Sequence, residues 1–263
     1  MRYTVLTLFP EITDAFFATS IMAKAIARGI IDYRAINIRD FAFDRHKTCD
    51  DAPYGGGPGM LMLPEPLGRA LEVAGVPKKG AGDREPGTRV IYLSPSGRPF
   101  DQSLAGELAR ERELVLLCGR YEGIDQRVID LYIDNEVSVG DYVLSSGEVA
   151  ALAIVDATYR LIGRVITPES LDEESFSGGL LEYPQYTRPE IYDTIRVPDV
   201  LISGHHEKIR RWRLERRVEK TLRNRPDLIL RGRESGFFDG ETNDIINRLL
   251  HAGGEGDTED ERD

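Results

Sequence analysis

Apolar positions in the first half of the chain recur in short runs and then at helical spacing. Tyr3 to Phe9 is a mostly apolar run closed by Pro10, the pattern of a buried strand. Ile12 to Arg28 spaces its apolar residues as a helix does, with Gly29 placed as its C-cap, and Asp32 to Ile38 alternates as a second strand. The chain thus opens β-α-β, the start of an α/β sheet. Leu67 to Val73 reads as helix, Arg89 to Leu93 as strand, Gln102 to Arg112 as a crossover helix and Glu113 to Cys118 as strand. Ile124 to Ile133 returns to helical spacing, Val137 to Val139 is a short strand, and Val149 to Ile162 is a helix interrupted by Asp156 and Arg160, four residues apart and able to pair.

The connections are rich in glycine. Gly119 and Gly123 bracket Arg120, Tyr121 and Glu122, and Gly140-Asp141-Tyr142 opens a second loop before the helical run from Glu148. Ser94-Pro95-Ser96-Gly97 turns the chain after Leu93. Loops at the carboxyl ends of neighbouring strands form the kind of crevice where open α/β sheets bind ligands, although ordinary βα turns leave the same pattern. Asp44 to Met62 holds four glycines and two prolines around Tyr54, either a flexible surface loop or a backbone that approaches a ligand closely. It lacks the Lys-Ser/Thr ending of a P-loop, and no GxGxxG follows a strand, which argues against a Rossmann site.

Gly163 to Gly179 is acidic, poor in apolar residues and the best interdomain linker. Beyond it Pro184, Pro189 and Pro198 punctuate the chain, and Ser203 and Glu207 sit where an N-terminal cap would begin a helix. On that helix Leu214, Val218 and Leu222 share a packing face, whereas Arg210, Arg213, Arg217 and Lys220 share another. Asp239 to Leu250 adds one more helix.

Composition changes this picture only in places. With 263 residues, 41% of them hydrophobic, there is enough apolar material for one or two domains. No apolar run approaches the roughly 18 residues of a membrane span, and MRYTVLTLFPEI reads as a first strand, not a signal peptide. Cys49 and Cys118 lack metal-like spacing, so reduced thiols and a cytoplasmic location are expected. The net charge of −11 argues weakly against a nucleic-acid partner, but it is unevenly placed. Gly253 to Asp263 is an acidic tail with a disordered composition, while Gly204 to Arg225 is strongly basic and carries Trp212, a pattern that suits phosphates and bases as well as a solvated helix.

Six stretches then make a set: PYGGGPGM (53–60), YLSPSGR (92–98), CGRYEGID (118–125), SVGDYVLSSGE (138–148), EESFSGGLLEYPQYTRP (173–189) and SGHHEKIRRWR (203–213). In this order they closely resemble the bacterial tRNA (guanine-N1)-methyltransferase family, TrmD, of the SPOUT class, over roughly Tyr3 to Leu228. The resemblance implies an α/β domain (1–162) whose parallel sheet carries a C-terminal trefoil knot. A flexible acidic linker (163–179), a small all-helical tRNA-binding domain (180–250) and the disordered acidic tail (251–263) follow it. It also implies a homodimer.

The implied cofactor, S-adenosylmethionine, would lie bent against Tyr92, Leu93 and Ser94, against Gly119, Tyr121 and Glu122, and against Val139, Gly140, Asp141, Tyr142, Val143, Leu144 and Gly147. The implied reaction is methyl transfer to N1 of guanine at tRNA position 37. The family's arginine maps to Arg160, and its linker aspartate maps to Glu174, with Asp172 as a substitute. Glutamate adds a methylene, about 1.5 Å of reach, and a misplacement of ~1 Å can cost ~100-fold in rate. Ser146 is a second departure, standing where the family has glycine; a need for φ > 0 or for close approach there would weaken cofactor binding. Magnesium is implied for activity, and Asp172, Glu173 and Glu174 offer oxygen ligands, though no spacing demonstrates a site. Tyr186, Arg188, Arg210, Arg211, Trp212 and Arg213 are the expected tRNA contacts. Glu174 and Ser146 also motivate an alternative, a catalytically impaired SPOUT homologue that keeps cofactor and RNA binding. Another SPOUT enzyme, acting on ribose or ribosomal RNA, need not carry the carboxylate linker followed by YTRP and the basic helix.

Overall fold

The structure, a computed structural model, describes residues 1–165 and 174–254. Asp172, Glu173 and the acidic tail beyond 254 lie outside the described residues. The chain divides into two compact units, Met1–Ile166 and Thr167–Asp263.

The first unit is built on strands β1 (Arg2–Thr7), β2 (Asp32–Asn37), β5 (Thr88–Pro99), β6 (Glu113–Cys118) and β7 (Asn135–Ser138). They form one sheet in the order β2-β1-β6-β5-β7, with every pairing parallel. β6 is buried at all six positions, as a central parallel strand covered on both faces should be. Its side chains divide by alternation. Leu114, Leu116 and Cys118 join a core with α1 (Pro10–Phe17), α2 (Ser20–Ala27), α4 (Gln102–Leu108) and α6 (Gly147–Tyr159). Val115 and Leu117 join the other core, with α3 (Pro64–Val73) and α5 (Gln126–Tyr132). A short hairpin, β3 (Asp50–Asp51) with β4 (Leu61–Met62), brackets the glycine-rich loop.

Two expectations need correction here. The helix expected over Ile12 to Arg28 is two helices: Thr19 Oγ1 donates to the Ala15 carbonyl at 2.5 Å, and Ser20 adopts φ +55°, which stops the first helix. Gly29, at φ +67°, does follow the second as a left-handed stop. The turn expected at Ser94 to Gly97 is an excursion inside one long strand, because the β5–β7 register jumps between Leu93 and Arg98, both opposite Val137. Gly97 allows it; a Cβ there would strike the backbone of Glu136 and Val137.

The second unit holds the small hairpin β8 (Ile191–Tyr192) and β9 (Ile195–Arg196), then α7 (Asp199–Ile202), α8 (His206–Asn224), α9 (Pro226–Glu234) and α10 (Gly240–Gly254). Its core joins Val218 with Leu214 and Leu222, the face anticipated on α8, to Leu180, Ile229, Phe238, Ile245 and Ile246. Ser203 is not the N-cap of α8. It ends α7, its hydroxyl donating to the Val200 carbonyl at 2.7 Å, and His205 takes the N-cap position without a side-chain bond. Among the described residues no helix is long and apolar enough to cross a membrane.

Candidate functional site

The carboxyl ends of β5, β6 and β7 surround a cavity of about 320 Å³. From β5 come Tyr92, Leu93 and Ser94, extended by Pro95 and Ser96 of the excursion. Tyr92 is buried and packs behind Gly119, where a Cβ would lie 2.9 Å from the tyrosine ring. Burial, then the nearby Glu136 carboxylate, push its hydroxyl up to about 12, against the lowering effect of a hydrogen bond from the Ile124 backbone. It is therefore a neutral wall at physiological pH.

The second loop contributes Gly119, Tyr121 and Glu122, together with Arg120 and Gly123. Tyr121 sits at φ +59° and Gly123 at φ +135°, so the loop folds back within five residues. It is tied to the glycine-rich hairpin: the Glu122 N–H donates to the Met60 carbonyl at 3.1 Å and the Met62 N–H to the Gly123 carbonyl at 3.0 Å. Gly59 lies so close to Glu122 that a Cβ would overlap the glutamate side chain. The stretch whose composition favours a free surface loop is anchored at its base to the cavity's second wall, although Tyr54 at its tip is fully exposed.

The third loop brings Val139, Gly140, Tyr142, Val143, Leu144 and Gly147 to the cavity, with Ser145, Ser146 and Ala150. Asp141 of the expected set is exposed and lies outside the cavity lining. Gly140 has φ +153°, and its missing side chain leaves room for the Tyr142 ring, whose hydroxyl donates to the Val139 carbonyl at 3.2 Å. The chain then passes from β7 beyond β5 and returns to the end of β6, where the Gly147 N–H donates to the Gly119 carbonyl at 2.9 Å. Ser146 is extended, with φ −163°, so it needs no glycine-like backbone. Just inside α6, Glu148 is 1% exposed and accepts from Thr7 Oγ1 at 2.5 Å, while its other oxygen has no partner among the described residues. The strand end carrying Tyr92, Leu93, Ser94 and Pro95 is readable from the sequence as a wall; Ser96, Val137 and Ser138 join it through the register jump, which no pattern in the sequence marks.

The other expected site residues fall in two places. Arg160 ends α6 in the first unit, whereas Glu174 is half-buried in the second, and Asp172 lies outside the described residues. In the second unit Tyr186 and Trp212 are ring neighbours, their centroids 6.4 Å apart, and Arg188 is exposed. Arg210 is held by Glu207 and Glu241 at 2.7 and 2.9 Å, Arg211 lies 3.5 Å from Glu215, and Arg213 lies over the Tyr183 ring at 4.7 Å. The basic face of α8 is thus partly spent on internal pairing. Among the described residues no group of three or more His, Cys, Asp or Glu side chains could hold a metal ion.

The family described as tRNA (Guanine-1)-methyltransferase TrmD matches residues 1–231. The chain belongs to this family. Among its TrmD relatives, the protein of Treponema denticola is 60% identical over 246 residues, covering 94% of this chain and 98% of its own. That of Treponema pallidum is 56% identical over 249 residues, covering 95% and 96%. That of Borreliella burgdorferi is 53% identical over 244 residues, covering 90% and 98%. Each is named tRNA (guanine-N(1)-)-methyltransferase.

Proposed function

We propose that this chain transfers a methyl group from S-adenosylmethionine to N1 of the guanine at position 37 of tRNA, working as a homodimer. The observation that carries the reading is the three-loop cavity at the strand ends of a chain in the TrmD family. Its size and mixed lining suit a folded nucleoside, and Gly119, Gly140 and Gly147 let its walls close on Tyr92, Tyr142 and the Cys118 backbone, where a side chain would clash. The return of the third loop past β5 to Gly119 supports a trefoil knot, since that crossing carries the chain across the end of an earlier strand. Val143 and Val149, 85% and 57% exposed beside this loop, support a subunit contact there.

When bound, S-adenosylmethionine supplies an electrophilic methyl on a sulfonium. Guanine N1 carries a proton at neutral pH, so a carboxylate must take that proton as N1 bonds to carbon. Glu174 is assigned this role, with Asp172 as the substitute. Arg160 is assigned to the guanine carbonyl oxygen, where charge builds up, and its guanidinium favours that developing charge. Tyr186, Arg188, Arg210, Arg211, Trp212 and Arg213 are assigned to the tRNA. Magnesium, which the family resemblance brings, would draw on Asp172, Glu173 and Glu174, of which only Glu174 is among the described residues.

The test is methyl transfer from labelled S-adenosylmethionine to tRNA transcripts with guanosine or adenosine at position 37. Guanosine-dependent transfer that falls at least ~100-fold in Glu174→Gln and little in Asp172→Asn supports both the reaction and the base. Cofactor binding without transfer to either transcript would instead favour a catalytically impaired homologue.

A further inference from the structure

On the second unit, α8 holds an extended segment through contacts at successive turns. Thr221 Oγ1 accepts from the Leu181 N–H at 2.9 Å, and Arg217 Nε donates to the Leu181 carbonyl at 3.2 Å. Arg213 lies 4.7 Å over the Tyr183 ring, and Trp212 neighbours Tyr186. Thr221, Arg217 and Arg213 are spaced by four, so they rise along one helix face and fix the segment's register against it. The segment ends at Tyr186, positioned by this chain of contacts yet 47% exposed.

Beside that ring opens a cavity of about 430 Å³ whose apolar wall is Val197, Leu201 and Ile202. Two backbone bonds shape it, Val197 N–H to the Glu190 carbonyl and Leu201 N–H to the Pro198 carbonyl, both 2.9 Å. At its rim the Glu190 carboxylate is taken by Arg196 at 2.7 Å. Arg188, also at the rim, is exposed and, among the described residues, paired with no carboxylate. A positioned aromatic face, an apolar recess and one uncompensated cation together match a planar ring that carries a phosphate.

We propose that this pocket docks one unstacked nucleobase of the RNA substrate, its face on Tyr186, its body against Val197, Leu201 and Ile202, and its phosphate on Arg188. The proposal rests on tRNA as the substrate and adds a second base-holding site, separate from the cavity of the first unit. Stacking tolerates any base, because every base presents a π face, so the pocket selects for unpaired strand over duplex.

The experiment uses the full chain and an unmethylated tRNA transcript, following the emission of Trp212, the single tryptophan of the sequence. S-adenosylmethionine binding is measured separately. Emission should change as tRNA saturates the protein, and a fully duplex RNA should not reproduce the change. Tyr186→Leu should weaken tRNA binding about tenfold or more, and Tyr186→Phe no more than about twofold. Arg188→Gln should weaken binding and lower its salt dependence by about one phosphate contact. Cofactor affinity should be unaltered in all three. Unchanged tRNA affinity in Tyr186→Leu would overturn the proposal. So would an equal loss in Tyr186→Phe, which would assign the effect to the hydroxyl and not to stacking. A parent chain that binds tRNA with these responses but transfers no methyl would refute the assigned reaction and leave the pocket standing.

Discussion

Gly147 lies against the main chain of Cys118: a Cβ added to it would sit 2.8 Å from the Cys118 Cα and 2.8 Å from the Gly119 nitrogen. Both neighbours are backbone at the end of the central strand, so neither can swing aside. Gly147→Ala must therefore push the third loop off the second and open the cavity between them. The expected cost is about 2 kcal/mol of overpacking, a fall of roughly 5 °C in Tm, with at least tenfold weaker S-adenosylmethionine binding by calorimetry. Gly106 is the control. It sits in α4 with no atom within 4 Å of its Cβ position, so Gly106→Ala should raise Tm slightly, by the ordinary helix preference of about 0.5–1 kcal/mol. Equal losses in the two variants would show that contact with Cys118 is not the cause.

Ser146 stands next to this contact and behaves oppositely. Its φ of −163° is extended backbone open to any residue, so glycine gains nothing there conformationally. Ser146→Gly should change cofactor affinity by no more than about twofold. A tenfold gain would mean that the serine side chain itself, which lines the cavity, obstructs the ligand.

These neighbours mark where the sequence stops being legible. Buried strands such as Glu113 to Cys118 announce themselves, because a central parallel strand must be apolar on both faces. Glycines at 119, 140 and 147 could be placed in loops at strand ends, and the family motifs assigned those loops to a cofactor. What the pattern could not separate was Gly147, which packs on the backbone of Cys118 and Gly119 far away in sequence, from Ser146, whose extended conformation suits any residue. The split at Thr19 depended on a side-chain bond to Ala15 competing with the helix, and the excursion of β5 on pairing with β7. α9 was missed although Pro226 at its first turn and Gly236, at φ +65° beyond its end, are ordinary start and stop signals.

Thr7 and Glu148 join the first strand to the start of α6 in a fully buried pair. Thr7 Oγ1 donates to the carboxylate and also accepts from the Phe9 N–H at 2.9 Å. Thr7→Val keeps the shape and removes both bonds, stranding a buried carboxylate whose second oxygen already lacks a partner among the described residues. The expected loss is about 2–3 kcal/mol, read as a lower urea midpoint with unchanged slope. Thr7→Ser should recover most of it. A Val variant as stable as the parent would indicate that water fills the gap.

Alkaline pH supplies the last test. Burial holds Tyr92 at about 12 and, with Glu72 adding to it, Tyr132 at about 12. In the unfolded chain both titrate near 10. Between pH ~10 and ~12 the unfolded state sheds these protons while the folded state keeps them, so both tyrosines make stability fall as pH rises through that window. The buried thiols of Cys118 and Cys49, the buried Tyr3 and the half-buried Tyr33, also pushed up, act in the same direction. A Tm series from pH 8 to 11.5 should therefore decline progressively, more steeply above pH ~10 where the tyrosines add to the thiols. Tyr92→Phe removes one of these groups, so its Tm should decline less steeply between pH ~10 and 11.5 even where its absolute value differs. Parallel slopes for parent and variant would mean that the Tyr92 hydroxyl is hydrated in the folded chain, and the cavity wall it forms would then be open to water.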